Sequence, residues 1–252
     1  MAQRDEIIAF CDELLKIAEF DDYGPNGLQV PGSPEVSSLV TGVTANLEFL
    51  ERAVAGGAQL AIAHHGLFFG DSGGGLTEQL ARRLRTALCA DLSVAGYHLP
   101  LDAHPEIGNN ALLCQALGLE PAQPFGEVKG RAIGLLATCP ERPTPEELGA
   151  RIASRLGREP LVLDGGPERI ERIGVVTGAG ASVLDEASSL GLDAFLTGEP
   201  AEHVLGDARE ARLHFFAAGH YATETFGVRR LGETVAERFG IEHEFIDVPN
   251  PI

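Results

Sequence analysis

Three things are missing from this chain. No stretch approaches the roughly eighteen consecutive apolar residues that a membrane span needs, so no membrane association is expected. No C-x-x-C pair is present; Cys11, Cys89, Cys114 and Cys139 stand apart in apolar segments. Buried free thiols are expected, which points to the reducing cytoplasm. Lysine is nearly absent, with only Lys16 and Lys129 among 19 basic residues, against 37 acidic ones. A formal net charge of −18 excludes the concentrated positive surface that phosphate backbones require, so no nucleic-acid partner is expected. The densest basic cluster, Arg82, Arg83 and Arg85, reads as the solvated face of a helix. The first residues, MAQRDEIIAFCDELL, run straight into an amphipathic pattern containing acids, so no secretory signal is expected.

What is present is a globular composition, 44% hydrophobic and 22% charged over 252 residues, enough for a full core. Helical periodicity is clear over 4–19, 46–57, 76–90, 108–118, 145–156, 180–190 and 223–239. Strand-like runs fall between them at 37–43, 60–64, 93–98, 131–138, 172–178, 194–199, 212–219 and 242–247. This alternation predicts α/β layers with at least partly parallel sheets. Turn signals stand at 24–27 (GPNG), 30–35 (VPGSPE), 120–127 (EPAQPFGE) and 164–168 (DGGPE), and the third is the best domain boundary.

An internal repeat supports that division. Residues 39–66 lie over residues 173–200 at a constant offset with no gap. Each copy reads as strand, Thr/Gly turn, helix, glycine and second strand, with Leu50 over Leu184, Ala53 over Ala187, Gly57 over Gly191 and Ile62 over Leu196. Where the first copy carries His64 and His65, the second carries Gly198 and Glu199. The double histidine is therefore not something the repeated unit needs in order to fold.

Three segments concentrate side chains that can hold a metal. In AHHG, adjacent strand residues point to opposite faces, so His64 and His65 can share a site only where the strand ends; Gly66 is expected to supply the backbone freedom there. In the segment 96–113, His98, Asp102 and His104 are expected in an extended loop kept out of helix by Pro100 and Pro105, with Asn109 or Asn110 starting the next helix. In the segment 217–233, His220 and Glu224 are one helical turn apart, and a carboxylate can bridge two metals. The competing reading there is a cap, with Thr223 as N-cap and Glu224 in the first turn. His203, His214 and His243 read as structural or peripheral, His214 half-buried in a strand.

The motifs IAHHG, HLPLDAHPEIGNNALL, FLTGEPAEH and AAGHYATETFGV, in this order and at these separations, closely resemble the NIF-three-like family of dinuclear-metal-centre proteins. Its members are often called GTP cyclohydrolase type 2 homologues. The resemblance runs from DDYGPNGLQV at 21–30 to the C-terminal helix, in the short form without an inserted domain. It implies metal ligands at His64, His65, Asp102, His220 and Glu224, with Glu224 bridging and His98 nearby. Two divalent transition-metal ions per subunit follow, and the imidazoles suit zinc, iron, manganese or nickel. The implied fold is two intertwined, duplicated three-layer α/β/α domains, here 1–126 with 227–252, and 127–226 contributing the His220/Glu224 segment. The implied assembly is a ring-shaped homohexamer with its sites facing an internal cavity.

The implied function is a dinuclear metal-dependent hydrolase of GTP cyclohydrolase type, acting on a nucleotide or related small molecule. Two cations would acidify a water, and His98 or His104 would move protons. The same ligands would equally serve a non-catalytic metal-binding or metal-delivery hexamer. Relatives often follow the double histidine with an aromatic and a basic residue; here Phe69, Gly70 and Asp71 leave no lysine for a substrate phosphate. The glycine run at 73–75 reads as a plain flexible loop.

Overall fold

A computed structural model describes residues 1–69 and 75–252; of the glycine run expected as a loop, only Gly75 falls among them. The chain is α/β. It divides into two compact units, Met1–Leu101 with Gly227–Val248, and Asp102–Phe226 with Pro249–Ile252. Each unit is thus assembled from separated stretches of chain. No helix among the described residues is long and apolar enough to cross a membrane.

In chain order the principal strands begin with β1 (Gly27–Val30), β2 (Ser38–Thr44), β3 (Leu60–His65) and β4 (Ser93–Gly96). They continue with β5 (Glu120–Val128), β6 (Arg131–Thr138), β7 (Leu161–Leu163), β8 (Arg172–Val176), β9 (Ala194–Thr197), β10 (His214–Ala217) and β11 (Glu242–Phe245).

The first unit holds the sheet β11–β2–β3–β4–β1. Its first four strands run parallel, and β1 closes the edge antiparallel. An interior parallel strand is covered on both faces, which is why β3 reads as an unbroken apolar run rather than an alternation. Helices Leu47–Ala55 and Glu78–Cys89 cover one face, packing Phe49, Leu50, Ala53 and Ala87 with Val40, Ala61 and Val94. Each is started by a side-chain cap, Asn46 accepting from the Phe49 amide and Thr77 from the Leu80 amide. On the opposite face, helix Thr225–Phe239 approaches β2 so closely that a Cβ on Gly232 would come within 2.6 Å of the Thr41 methyl. Arg82 and Arg85 are exposed on Glu78–Cys89, as the charge pattern predicts, whereas Arg83 is half-buried.

The second unit holds the sheet β5–β6–β8–β9–β10–β7, with β8, β9 and β10 parallel. The sequence repeat reappears in its register. Leu39 pairs with Leu60 between β2 and β3, and the residues at the same repeat positions, Ile173 and Ala194, pair between β8 and β9. Val175, Leu196 and Phe216 pack with Leu113, Leu148 and Ile152 of helices Asn109–Leu117 and Pro145–Leu156. Phe195 points to the other face and meets Phe125 and Phe215 edge-on. Helix Pro145–Leu156 opens with a capping box between Thr144 and Glu147 and closes at Gly157, φ 68°.

Several local expectations are corrected. EPAQPFGE is strand β5 rather than a turn; it lies at the sheet edge and pairs only with β6, where prolines cost least. Leu99–Ala103 is a short helix rather than an extended loop, with Pro100 in its first turn, where a missing amide hydrogen leaves nothing unbonded. The cap of helix Asn109–Leu117 is Gly108, so neither asparagine caps it. Cys11, Cys114 and Cys139 are free and buried, but Cys89 is exposed at the end of its helix. His214 is fully buried, with Nδ1 against Asp164 at 2.9 Å and Nε2 donating to the Pro167 carbonyl at 2.7 Å.

Candidate metal centre

In the first unit the site grows from the carboxyl ends of β3 and β4. His64 and His65 end β3 and His98 follows β4 by one residue beyond Tyr97. The His64 ring centroid lies 4.8 Å from that of His65 and 5.0 Å from that of His98. One ring nitrogen from each of the three falls within 4.8 Å of the others. Neighbouring strand residues ordinarily diverge; these converge because the ladder stops there.

Hydrogen bonding sets which nitrogen carries the lone pair. His64 Nδ1 lies 2.9 Å from the Tyr97 carbonyl oxygen, which can only accept. Nδ1 therefore carries the proton and Nε2 the lone pair that a cation requires. His65 Nδ1 meets the Thr44 hydroxyl at 3.1 Å. His98 Nδ1 lies 2.7 Å from Asp22 Oδ1. Asp22 also accepts from the Tyr23 amide (2.6 Å), the Asn26 side chain (2.8 Å) and the Leu99 amide (3.0 Å). Burial alone would raise the Asp22 carboxyl, but the His98 imidazole and the Asn26 and Tyr23 donors hold it below the usual carboxylate range.

Gly66 is needed for a different reason from the one expected. Its φ is not in the left-handed region; a Cβ there would instead collide with the Gln29 side-chain amide. That amide accepts from the Leu67 amide at 2.7 Å and donates to the Pro25 carbonyl at 2.8 Å, tying the turn after β3 to the chain before β1.

In the second unit, Asp102 and Glu224 offer carboxylate oxygens within 4.8 Å of each other. Asp102 is held by Asn109 Nδ2 at 2.8 Å and by the Thr177 hydroxyl at 3.2 Å. Asn110, also buried, donates to the Ile133 carbonyl and accepts from the Thr177 amide, fixing the segment behind Asp102. Asn109 does start its helix, as expected, and the two asparagines also hold Asp102, Asn109 at its carboxylate and Asn110 at its backbone carbonyl.

The His220/Glu224 spacing behaves as the helical turn predicts, with Nε2 to Oε2 at 3.0 Å. Helix His220–Thr223 ends there, and Thr223 is no N-cap: its hydroxyl donates to the His220 carbonyl and accepts from the Gly178 amide. The other ring nitrogen, Nδ1, donates to Glu199, which sequence reasoning had not placed at the site. Burial by itself would lower the His220 pKa, but Glu224 and then Glu199 outweigh it and raise it to about 9. Gly178, at φ 69°, passes so close to Glu224 that any side chain would strike its carboxylate. Gly198 is equally constrained, its Cβ position 2.7 Å from the His220 Cα.

Among the described residues, His104 belongs to none of the groups of side chains that could hold a metal. Its Nδ1 accepts from the Glu106 and Ile107 amides at 3.2 and 3.1 Å, which closes the turn before helix Asn109–Leu117. His203 is exposed beside Asp207, and His243 bonds the Thr41 hydroxyl at 2.8 Å.

Imidazoles with a second bond on the other ring nitrogen, in the first unit, and buried carboxylates fixed by amide and hydroxyl donors, in the second, are each side chains that could hold a metal ion. The donor set fits divalent cations. Asp22, Glu199, Gly178, Asn109 and Thr177 were not singled out in the sequence as parts of it. Glu199 had a positional signal, since the repeat lays it over His65, and Asp22 and Asn109 fall within segments that carry the family resemblance.

The chain is similar to known proteins along nearly its whole length. A "GTP cyclohydrolase 1 type 2 homolog" of Pseudomonas aeruginosa is 43% identical over 245 residues, 97% of each chain. The Escherichia coli K12 protein of the same name is 44% identical over 253 residues, 98% of each. Among solved structures, a structural-genomics protein called ybgI, of unknown function, superposes with a TM-score of 0.94 at 42% identity, covering all of both chains. Residues 2–251 match the model of one family, and the chain belongs to it: Duf34/NIF3, the NGG1p interacting factor 3 family.

Proposed function

We propose that this protein is a dinuclear metal-dependent hydrolase of the GTP cyclohydrolase type, with His64, His65, Asp102, His220 and Glu224 as ligands and Glu224 shared between two cations. The observation that carries the reading is the lone pair set on His64 Nε2 by the Tyr97 carbonyl, within a cluster of three imidazoles. The names of the relatives support the reaction class. Bound zinc, iron, manganese or nickel would supply Lewis acidity and a water acidified toward neutrality.

The chain's own residues then have distinct tasks. Asn109 and Thr177 hold Asp102 in one rotamer, and Glu199 holds the His220 ring. His98 carries protons at Nε2, its Nδ1 being bonded to Asp22. His104, with Nδ1 taken by two amides, offers only Nε2 for the same task. The substrate is a nucleotide or related small molecule. The working assembly is a homohexameric ring in the cytoplasm.

Metal analysis at known chain concentration tests this. Two transition-metal ions per chain are expected, and His64→Ala or Glu224→Gln should lower that count and abolish turnover. Fewer than one ion per chain overturns the metal centre. Full metal occupancy with no turnover of nucleotides, pterin precursors or phosphoesters would instead establish a metal-binding or metal-delivery protein.

A further inference from the structure

We propose that Asp22 is a positioning residue that keeps the His98 proton on Nδ1 and its lone pair on Nε2, so that His98 accepts a proton before it donates one. The functional half of this rests on the reading of His98 as a proton carrier; the tautomer does not.

The geometry is specific. The Asp22 side chain is 3% exposed, and that of His98 beside it 15%. Four donors converge on the two Asp22 oxygens. Oδ1 takes the Tyr23 amide and the His98 ring; Oδ2 takes the Asn26 side chain and the Leu99 amide. A carboxylate gripped from both sides cannot rotate. The His98 backbone is fixed as well, its amide donating to Asn26 Oδ1 at 2.8 Å. An ionised carboxylate only accepts, so the nitrogen facing it must carry hydrogen. The other nitrogen is then a base, and the His98 ring lies 5.0 Å from that of His64 and 5.6 Å from that of His65.

Asp22 could also be read as nothing more than the closing residue of the turn at 22–26. The two readings differ in what they require of the side chain. An asparagine with its oxygen at the Oδ2 position would still accept from the Leu99 amide and the Asn26 side chain, so closure of the turn there does not require a carboxylate. Only an acceptor without hydrogens fixes the His98 tautomer, because an asparagine amide can turn its NH2 toward Nδ1 and move the ring proton to Nε2.

The experiment is solid-state NMR of the full, metal-free chain labelled with 15N-histidine, at a pH about two units above the ordinary imidazole value. The His98 signals are those lost in His98→Asn. In the native protein Nε2 is expected at the unprotonated, pyridine-like shift and Nδ1 at the protonated, pyrrole-like one. In Asp22→Asn the two should exchange. Asn26→Ala loosens the turn but leaves the carboxylate, and the native tautomer should survive it. A native His98 with its proton on Nε2 overturns the proposal without recourse to any variant. So does an Asp22→Asn protein, folded by circular dichroism, whose His98 shifts are unchanged, or an Asn26→Ala protein in which they exchange. Because the measurement uses no metal and no substrate, its failure is separate from failure of the metal count.

Discussion

Glu199 accepts a hydrogen bond from Nδ1 of His220, and it does so from the repeat position that His65 occupies in the first copy. One duplicated strand end therefore ends in an imidazole and the other in a carboxylate that steadies an imidazole.

If His220 is a ligand as proposed, Glu199→Ala should weaken metal retention without unfolding the chain, because Glu199 bonds the other nitrogen of that ring. Loss of such outer partners typically costs about 10–100-fold in affinity. Competition with a chromophoric chelator measures it. Unchanged affinity would reduce the Glu199–His220 bond to a surface contact.

Gly178→Ala should be damaging twice over. The left-handed backbone at φ 69° costs about 1–2 kcal/mol with a side chain, and the new methyl would displace the Glu224 carboxylate. Thermal unfolding should show the first effect and metal content the second. Gly191→Ala, also left-handed at φ 60° but with open space around its Cβ position, should show the first alone.

Asn110→Ala should destabilise through its neighbours. It removes the acceptor of the buried Thr177 amide, and an orphaned buried donor costs about 1–3 kcal/mol. Urea unfolding should report the loss. The effect should exceed that of Ser189→Ala, whose hydroxyl bond to Asp185 lies on the exposed surface.

His243 should make stability depend on mild acid. Burial lowers its pKa, helped by Arg229 and opposed by Glu233 and Glu244, so the folded chain binds the proton less readily than the unfolded one. Its contribution is complete above the ordinary histidine value and is lost as pH falls through the lower folded value. Unfolding midpoints measured downward from neutral should decline, and His243→Gln should flatten that decline. A decline of the same steepness in the variant would exclude His243 as its source.

Periodicity was enough to read the interior of the fold. Residues 60–64 announce themselves as β3 because a strand covered on both faces is apolar throughout, and helix Pro145–Leu156 announces itself by its periodicity. The edges were hidden. Pro121 and Pro124 make β5 read as a turn, though an edge strand tolerates them; β7 is too short for any pattern; Gly206 interrupts helix Val204–Glu210. At the site, residues whose own chemistry is metal-like could be named. Partners such as Asp22 and Asn110 could not, because nothing local says that Asp22 meets a ring 76 residues away or that Asn110 meets an amide 67 residues away.

The pairing of β11 with β2 also imposes an order of events on synthesis. Thr41 and His243 are 202 residues apart, yet they meet across neighbouring parallel strands. As the chain leaves the ribosome, β2 must wait with one backbone edge open until Glu242–Phe245 emerges. Closure over so long a separation is intrinsically slow, and an open edge can recruit other chains. Nascent chains stalled before residue 242 should be the aggregation-prone species and the ones on which a chaperone would act.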